Sequence, residues 1–382
     1  MRPPTGQQFT ISRTVDGSEL RATITEVAAT LRELTIDGVD LVEPFPEHAR
    51  PAKGQGIVLA PWGGRVAGGD WQLDGATQRL PITERDKGNA SHGLLRFAPY
   101  RVLEHSASRV VLQATIHPQG GWPFLVDTAI TYELTDDGLL VTQEATNVGT
   151  ERAPWACGAH PYLAVGDTAP ERLTLTVPAA RVFNAVDLIP TEETLVDAMD
   201  ASAPDLRAGR RLTELDVDHN YAGLEFVGGV ATSSLLDDTG RGAELWQDDA
   251  FPYVVVFTPR DFRPFANLQT SRWRSWYVNT RVSPGSPSQM IAALFLRCVS
   301  RWRSMQLYET LILPPVNHLV SGILPSMTVV GFSNQSRFAS AISPQKPAGS
   351  SLARCHISWY CASLLMWAVA EKSAGGGNLR PS

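Results

Sequence analysis

The chain has 382 residues, 43 % of them hydrophobic and 19 % charged, with a net charge of −6. That is enough apolar material for a large core, and the acidic balance gives no reason to expect nucleic acid as a partner. The start, Met1 to Gln8, has no apolar signal region and no run of ~18 apolar residues follows, so a soluble protein of the cytoplasm is expected, with no membrane partner.

In chain order, turn signals come early. Val15-Asp16-Gly17 and Ile36-Asp37-Gly38 punctuate strand-like runs. Val110 to His117 alternates apolar and polar residues. Ala129 to Leu134 alternates, turns at Thr135-Asp136-Asp137-Gly138, and returns from Leu139 to Ala145. Ser234 to Leu236 and Ala243 to Gln247 flank a second Asp- and Gly-rich turn. Tyr253 to Thr258 (YVVVFT) has the β-branched content of a buried strand. One helix is predicted over Thr191–Met199, with Thr191 as its N-cap. Many short strands and little helix predict an all-β sandwich.

Composition shifts near residue 264. Residues 1–264 carry 22 Lys and Arg against 37 Asp and Glu; residues 265–382 carry 11 against 2. Three of the four cysteines also lie in the later part, and no Cys-x-x-Cys pair occurs. Arginine there is scattered without period, as in Ser271-Arg272-Trp273-Arg274, so the segment does not read as an organised basic arm. Two domains are therefore expected: a β-sandwich over 1–264 that lacks its last strands, and a basic, acid-poor tail over 265–382. That tail has the character of a frame-shifted or run-on gene end.

Four places carry polar chemistry. Pro61-Trp62-Gly63-Gly64-Arg65-Val66 sets an arginine in a glycine-rich loop, where its planar fork of donors suits vicinal hydroxyls or a carboxylate. Asn89-Ala90-Ser91-His92-Gly93-Leu94 places His92 before a glycine. Cys157-Gly158-Ala159-His160-Pro161-Tyr162 places His160 before a proline, which keeps it out of the helical region. Asp216-Val217-Asp218-His219-Asn220-Tyr221 groups carboxylates, an imidazole and an amide. Metal binding is an open alternative there, although Asp218 and His219 point to opposite faces of a strand. Each feature alone also fits a structural role. Together, aromatic rings beside Arg, Asp and Asn suit a sugar.

Taken in order, these segments resemble the aldose 1-epimerase (mutarotase) family. The resemblance implies a large antiparallel β supersandwich of the galactose mutarotase type. It implies exchange of the α and β anomers of a glucose- or galactose-type aldohexose, with no metal or organic cofactor. By resemblance, His160 protonates the ring oxygen, His92 binds beside it, and Arg65 and Asp218 hold sugar hydroxyls. Gly63 and Gly64 stand where the family has proline and asparagine, which removes an amide contact and loosens the loop. The family's general base is a late glutamate. The acidic candidate is Glu309, spaced correctly from Pro314-Pro315 but 51 residues beyond Thr258. That distance predicts low turnover. Two other readings stand beside this one: a carbohydrate-binding module without catalysis, and a hexose-6-phosphate 1-epimerase.

Overall fold

The structure is a computed structural model. It describes residues 2–196, 203–259, 266–271, 281–282 and 290–299, the last three stretches as backbone. No α-helix occurs among the described residues, only short 3-10 turns such as Ala52–Gly54 and Leu212–Glu214.

Two large antiparallel sheets dominate. The first has nine strands. In spatial order they are Arg101–His105, Arg109–Ile116, Val126–Thr135, Gly138–Asn147, Met290–Val299, Gly242–Asp248, Val230–Asp237, Leu173–Thr176 and Arg210–Arg211. The second has eight. It runs Ile189–Leu195, Ala179–Val186, Asp218–Leu224, Tyr253–Phe257, Ala266–Ser271, Gly158–Ala159 and Val58–Leu59, with Tyr162–Leu163 also on Ala266–Ser271. A separate four-stranded sheet opens the chain.

The expected hairpins form. Asp16–Gly17 and Asp37–Gly38 both take positive φ, as a two-residue hairpin turn requires. Val126–Thr135 pairs along its length with Gly138–Asn147, from Thr135↔Gly138 to Val126↔Asn147. Buried and half-buried residues alternate along both strands, so one face of each lines the core. Phe9, Ile24, Leu34, Leu112, Ile116, Ile130 and Leu245 belong to one continuous buried cluster. Each such side chain contributes about 1.5–3 kcal/mol by leaving water. Tyr132 is buried with them, and its hydroxyl donates to the Ala29 carbonyl at 2.6 Å.

The helix expected over Thr191–Met199 is not found at residues 191–195. Ile189–Leu195 is a strand, paired with Ala179–Val186 through Val186↔Ile189 and Phe183↔Glu193. Asp187 and Leu188 at the turn have φ of 50° and 65°. A tight hairpin has overridden local helix propensity. The strand lies at the sheet edge, where Pro190 costs no ladder bond. Residues 197–202 lie outside the described residues.

Backbone pairing runs past residue 264. Ala266–Ser271 pairs with Tyr253–Phe257 on one side and with Gly158–Ala159 on the other. Met290–Val299 lies between Gly138–Asn147 and Gly242–Asp248.

Candidate functional site

A cleft of about 390 Å³ opens beside the second sheet. Four of the five residues singled out from the sequence line it: Arg65, His92, His160 and Asp218. Glu309 lies outside the described residues.

Arg65 and His92 are brought together by a short ladder. Arg65–Ala67 pairs with Asn89–Ser91, with Arg65 opposite Ser91. His92 follows directly, and its backbone N–H donates to the Gly64 carbonyl at 2.8 Å. His92 has φ of +62°, a region that costs energy for a residue with a Cβ. The next residue, Gly93, also has positive φ. A Cβ there would stand 2.1 Å from the Ala60 carbonyl oxygen. That oxygen accepts the Leu94 and Leu95 N–H groups, so it is held in place. Gly93→Ala is therefore expected to lower stability by about 2–4 kcal/mol and displace His92, read as a lower urea midpoint.

His160 comes from the junction between Gly158–Ala159 and Tyr162–Leu163. Its main chain is clamped on both sides. The His160 N–H donates to the Ile57 carbonyl at 3.1 Å, and the Gly56 N–H donates to the His160 carbonyl at 2.8 Å. Its ring stacks on Tyr162 at 5.4 Å and 16°, two residues on along the same face. The Tyr162 hydroxyl donates to the Lys53 carbonyl at 3.1 Å, which fixes that ring. His92 stands beside His160, with ring centroids 5.3 Å apart and the two imidazoles nearly perpendicular.

Both imidazoles are buried. Burial pushes the His160 pKa down to about 3, with Arg96 and Arg65 adding to the effect. Burial also holds His92 well below the ordinary histidine range, followed by His160, Arg96 and Arg65. At neutral pH the pair is uncharged, so each ring offers one N–H donor and one acceptor nitrogen.

Asp218 begins the strand Asp218–Leu224. It lies opposite Phe257, and Asn220 lies opposite Val255. All four line the cleft, as the two-residue strand period requires. Burial raises the Asp218 pKa, against the pull of Arg65. Among the described residues, no group of three His, Cys, Asp or Glu side chains is placed to hold a metal ion.

Several lining residues, Glu84, Lys53 and Lys87 among them, were not legible in the sequence. Glu84 accepts from Arg65 Nε at 2.7 Å and from Nη2 at 3.0 Å. Lys53, Lys87 and Arg96 also reach the cleft, and Leu188 and Pro190 of the edge hairpin wall it. Arg96 Nη1 donates to the Ser91 carbonyl at 3.1 Å. The signal for Glu84 was slight, one of two acids, with Asp86, in a polar loop before Asn89.

The family model for aldose 1-epimerase matches residues 12–286. The chain belongs to the aldose 1-epimerase family. Among curated proteins it is 34 % identical over 206 residues to the uncharacterized protein YihR of Escherichia coli K12. That match spans 53 % of this chain and 66 % of YihR, just under two thirds of its length. Among solved structures, the GalM/aldose epimerase homologue from C. elegans superposes with a TM-score of 0.65 at 17 % identity, covering 77 % of this chain and 99 % of that one. Galactose 1-epimerase from Lactobacillus acidophilus gives 0.60 at 16 % identity, covering 77 % and 98 %. At such identities these structures establish the shared galactose mutarotase-like fold alone. The aldose 1-epimerase match runs through residue 264 and takes in Ala266–Ser271. Among the described residues no helix is long and apolar enough to cross a membrane.

Proposed function

We propose that this chain is an aldose 1-epimerase acting on the free anomeric centre of an aldohexose. The observation that carries the reading is the buried, edge-to-face pair His92 and His160 on a polar cleft shared with Arg65 and Asp218. Anomer exchange needs a proton donor at the ring oxygen and an acceptor at the C1 hydroxyl. The ring C1–O5 bond breaks, the C1–C2 bond rotates, and the ring closes on the other face. His160 serves the ring oxygen. Its neutral N–H stabilises the charge that develops there as the bond breaks, and its fixed ring needs no reorganisation. Arg65 and Asp218 hold the sugar hydroxyls. Family resemblance supplies the base as a late glutamate, for which Glu309 is the candidate.

A second reading concerns an acidic substituent on the sugar. The cleft gathers four cationic side chains, Lys53, Arg65, Lys87 and Arg96, against two carboxylates, Glu84 and Asp218. That excess supports a hexose 6-phosphate. Anomer exchange of fresh α-glucose and of α-glucose 6-phosphate, followed by NMR, tests both readings. Exchange well above buffer for either supports epimerase activity, and the larger kcat/KM names the substrate. Binding by calorimetry without exchange would favour a carbohydrate-binding module. Neither binding nor exchange of any aldose would sink the proposal.

A further inference from the structure

We infer that Glu84 is a positioning residue that aims Arg65 into the cleft, an assignment that rests on the epimerase reading for its effect on sugar. Arg65 follows two glycines, and Gly64 has φ of +69°. Its strand, Arg65–Ala67, is only three residues long. A long, flexible side chain on so short and loosely entered a strand has many orientations open to it.

Glu84 removes that freedom. Its two carboxylate oxygens take Nε and Nη2 of Arg65 in parallel, at 2.7 and 3.0 Å. Such a fork-to-fork pair fixes the guanidinium plane as well as its position. The remaining guanidinium hydrogens stay available to a sugar hydroxyl in the cleft. Glu84 is itself anchored. Its backbone N–H donates to the Asn89 carbonyl at 3.0 Å, and the Asn89 N–H donates back at 3.2 Å. The neighbouring Thr83 hydroxyl accepts the Ser91 N–H at 2.9 Å. The carboxylate thus stands on the same ladder that carries Arg65 and leads into His92. Side-chain exposures of 21 % for Arg65 and 26 % for Glu84 put the pair on the cleft wall, partly screened from water.

The pair also compensates for the sequence of the loop. Glycines at 63 and 64 give up contacts that a bulkier loop would offer, and a carboxylate approaching from 19 residues away supplies the restraint instead.

Two measurements test this. In arginine side-chain NMR, the Arg65 Nε–Hε signal, assigned by its loss in Arg65→Lys, is expected to be slow to exchange. In Glu84→Gln that exchange speeds up by about tenfold or more, because the charged acceptor is gone. Unchanged exchange would overturn the proposal, whatever the activity. In anomer-exchange kinetics, Glu84→Gln raises KM about tenfold with kcat within about twofold, as expected when ground-state and transition-state binding are lost together. In an Arg65→Lys background the same change adds less than about twofold. A full, undiminished effect in that background would also overturn it. Wild-type protein without anomer exchange, but with the Nε–Hε signal lost in Glu84→Gln, counts against the epimerase reading and for the pair. Melting temperatures of each variant establish that the fold is intact.

Discussion

His160→Ala slows anomer exchange by about 10²–10⁴-fold, with KM within about threefold of wild type. The expectation follows from where the ring is held. His160 is 5 % exposed, with its main chain bonded to residues 56 and 57 and its ring stacked on Tyr162. A side chain fixed by so many contacts arrives at the ring oxygen without loss of further freedom. Truncation removes the donor and leaves the cleft walls in place, so the deficit falls on kcat. His160→Gln separates two roles. It keeps an N–H donor of similar reach and cannot accept a proton. If Gln restores more than about a tenth of the rate, hydrogen bonding to the ring oxygen suffices. A rate equal to the Ala variant assigns proton transfer to the imidazole. Wild-type rates in His160→Ala would remove His160 from the mechanism.

The same burial makes the fold sensitive to mild acid. In the unfolded chain His160 titrates near 6.5; in the folded protein burial holds it at about 3. Above pH 6.5 both states are neutral there and the full stability is present. As pH falls below 6.5, the unfolded chain takes up a proton that the folded state refuses until about pH 3. Stability is therefore lost across that window, by up to about 1.4 kcal/mol per pH unit from this residue. Between pH 6.5 and 5 the loss from His160 is about 1.5–2 kcal/mol. His92 is shifted in the same direction and adds to it. Asp218, raised by burial, acts oppositely at lower pH. Asp237 is held down to about 2 by Thr239 and Arg241 against its own desolvation, and its contribution is lost only below the ordinary carboxylate range. Urea midpoints at pH 6.5 and 5 measure the effect. Wild type loses more than His160→Gln by roughly that amount, and equal losses would mean that the imidazole is not held neutral by the fold.

Strands were legible where their alternation is local. The hairpin of residues 126–147 announces itself because each strand has one buried face and the turn needs Asp and Gly. The helix expected over Thr191–Met199 failed for the complementary reason. Residues 191–195 lie mostly exposed at a sheet edge, so local pattern had no buried face to follow, and pairing with Ala179–Val186 decided the outcome. His92, His160, Arg65 and Asp218 stood out because each sits in a short, unusual neighbourhood of Gly, Pro or aromatic residues. Glu84 and Lys87 belong to a charged run, Glu84-Arg85-Asp86-Lys87, of the kind that ordinarily covers a solvated turn. They reach the cleft only because Arg65 registers opposite Ser91, a pairing that folds a 26-residue separation back on itself. Charge on the cleft wall is a property of register, and composition does not encode it.

The central place of Met290–Val299 in the nine-stranded sheet has a consequence for biosynthesis. Its partners on one side, Gly138–Asn147, leave the ribosome far ahead of it. At about 5–20 residues per second, a lag of nearly 150 residues lasts roughly 7–30 s. Throughout that time Gly138–Asn147 has an unpaired backbone edge, and Gly242–Asp248 acquires one when it emerges. The nascent chain then holds two half-sheets waiting for one late strand to join them. Expression at lower temperature, or with a chaperone that shields such edges, should raise the soluble yield of this protein more than that of a β-sandwich whose neighbouring strands are made in succession.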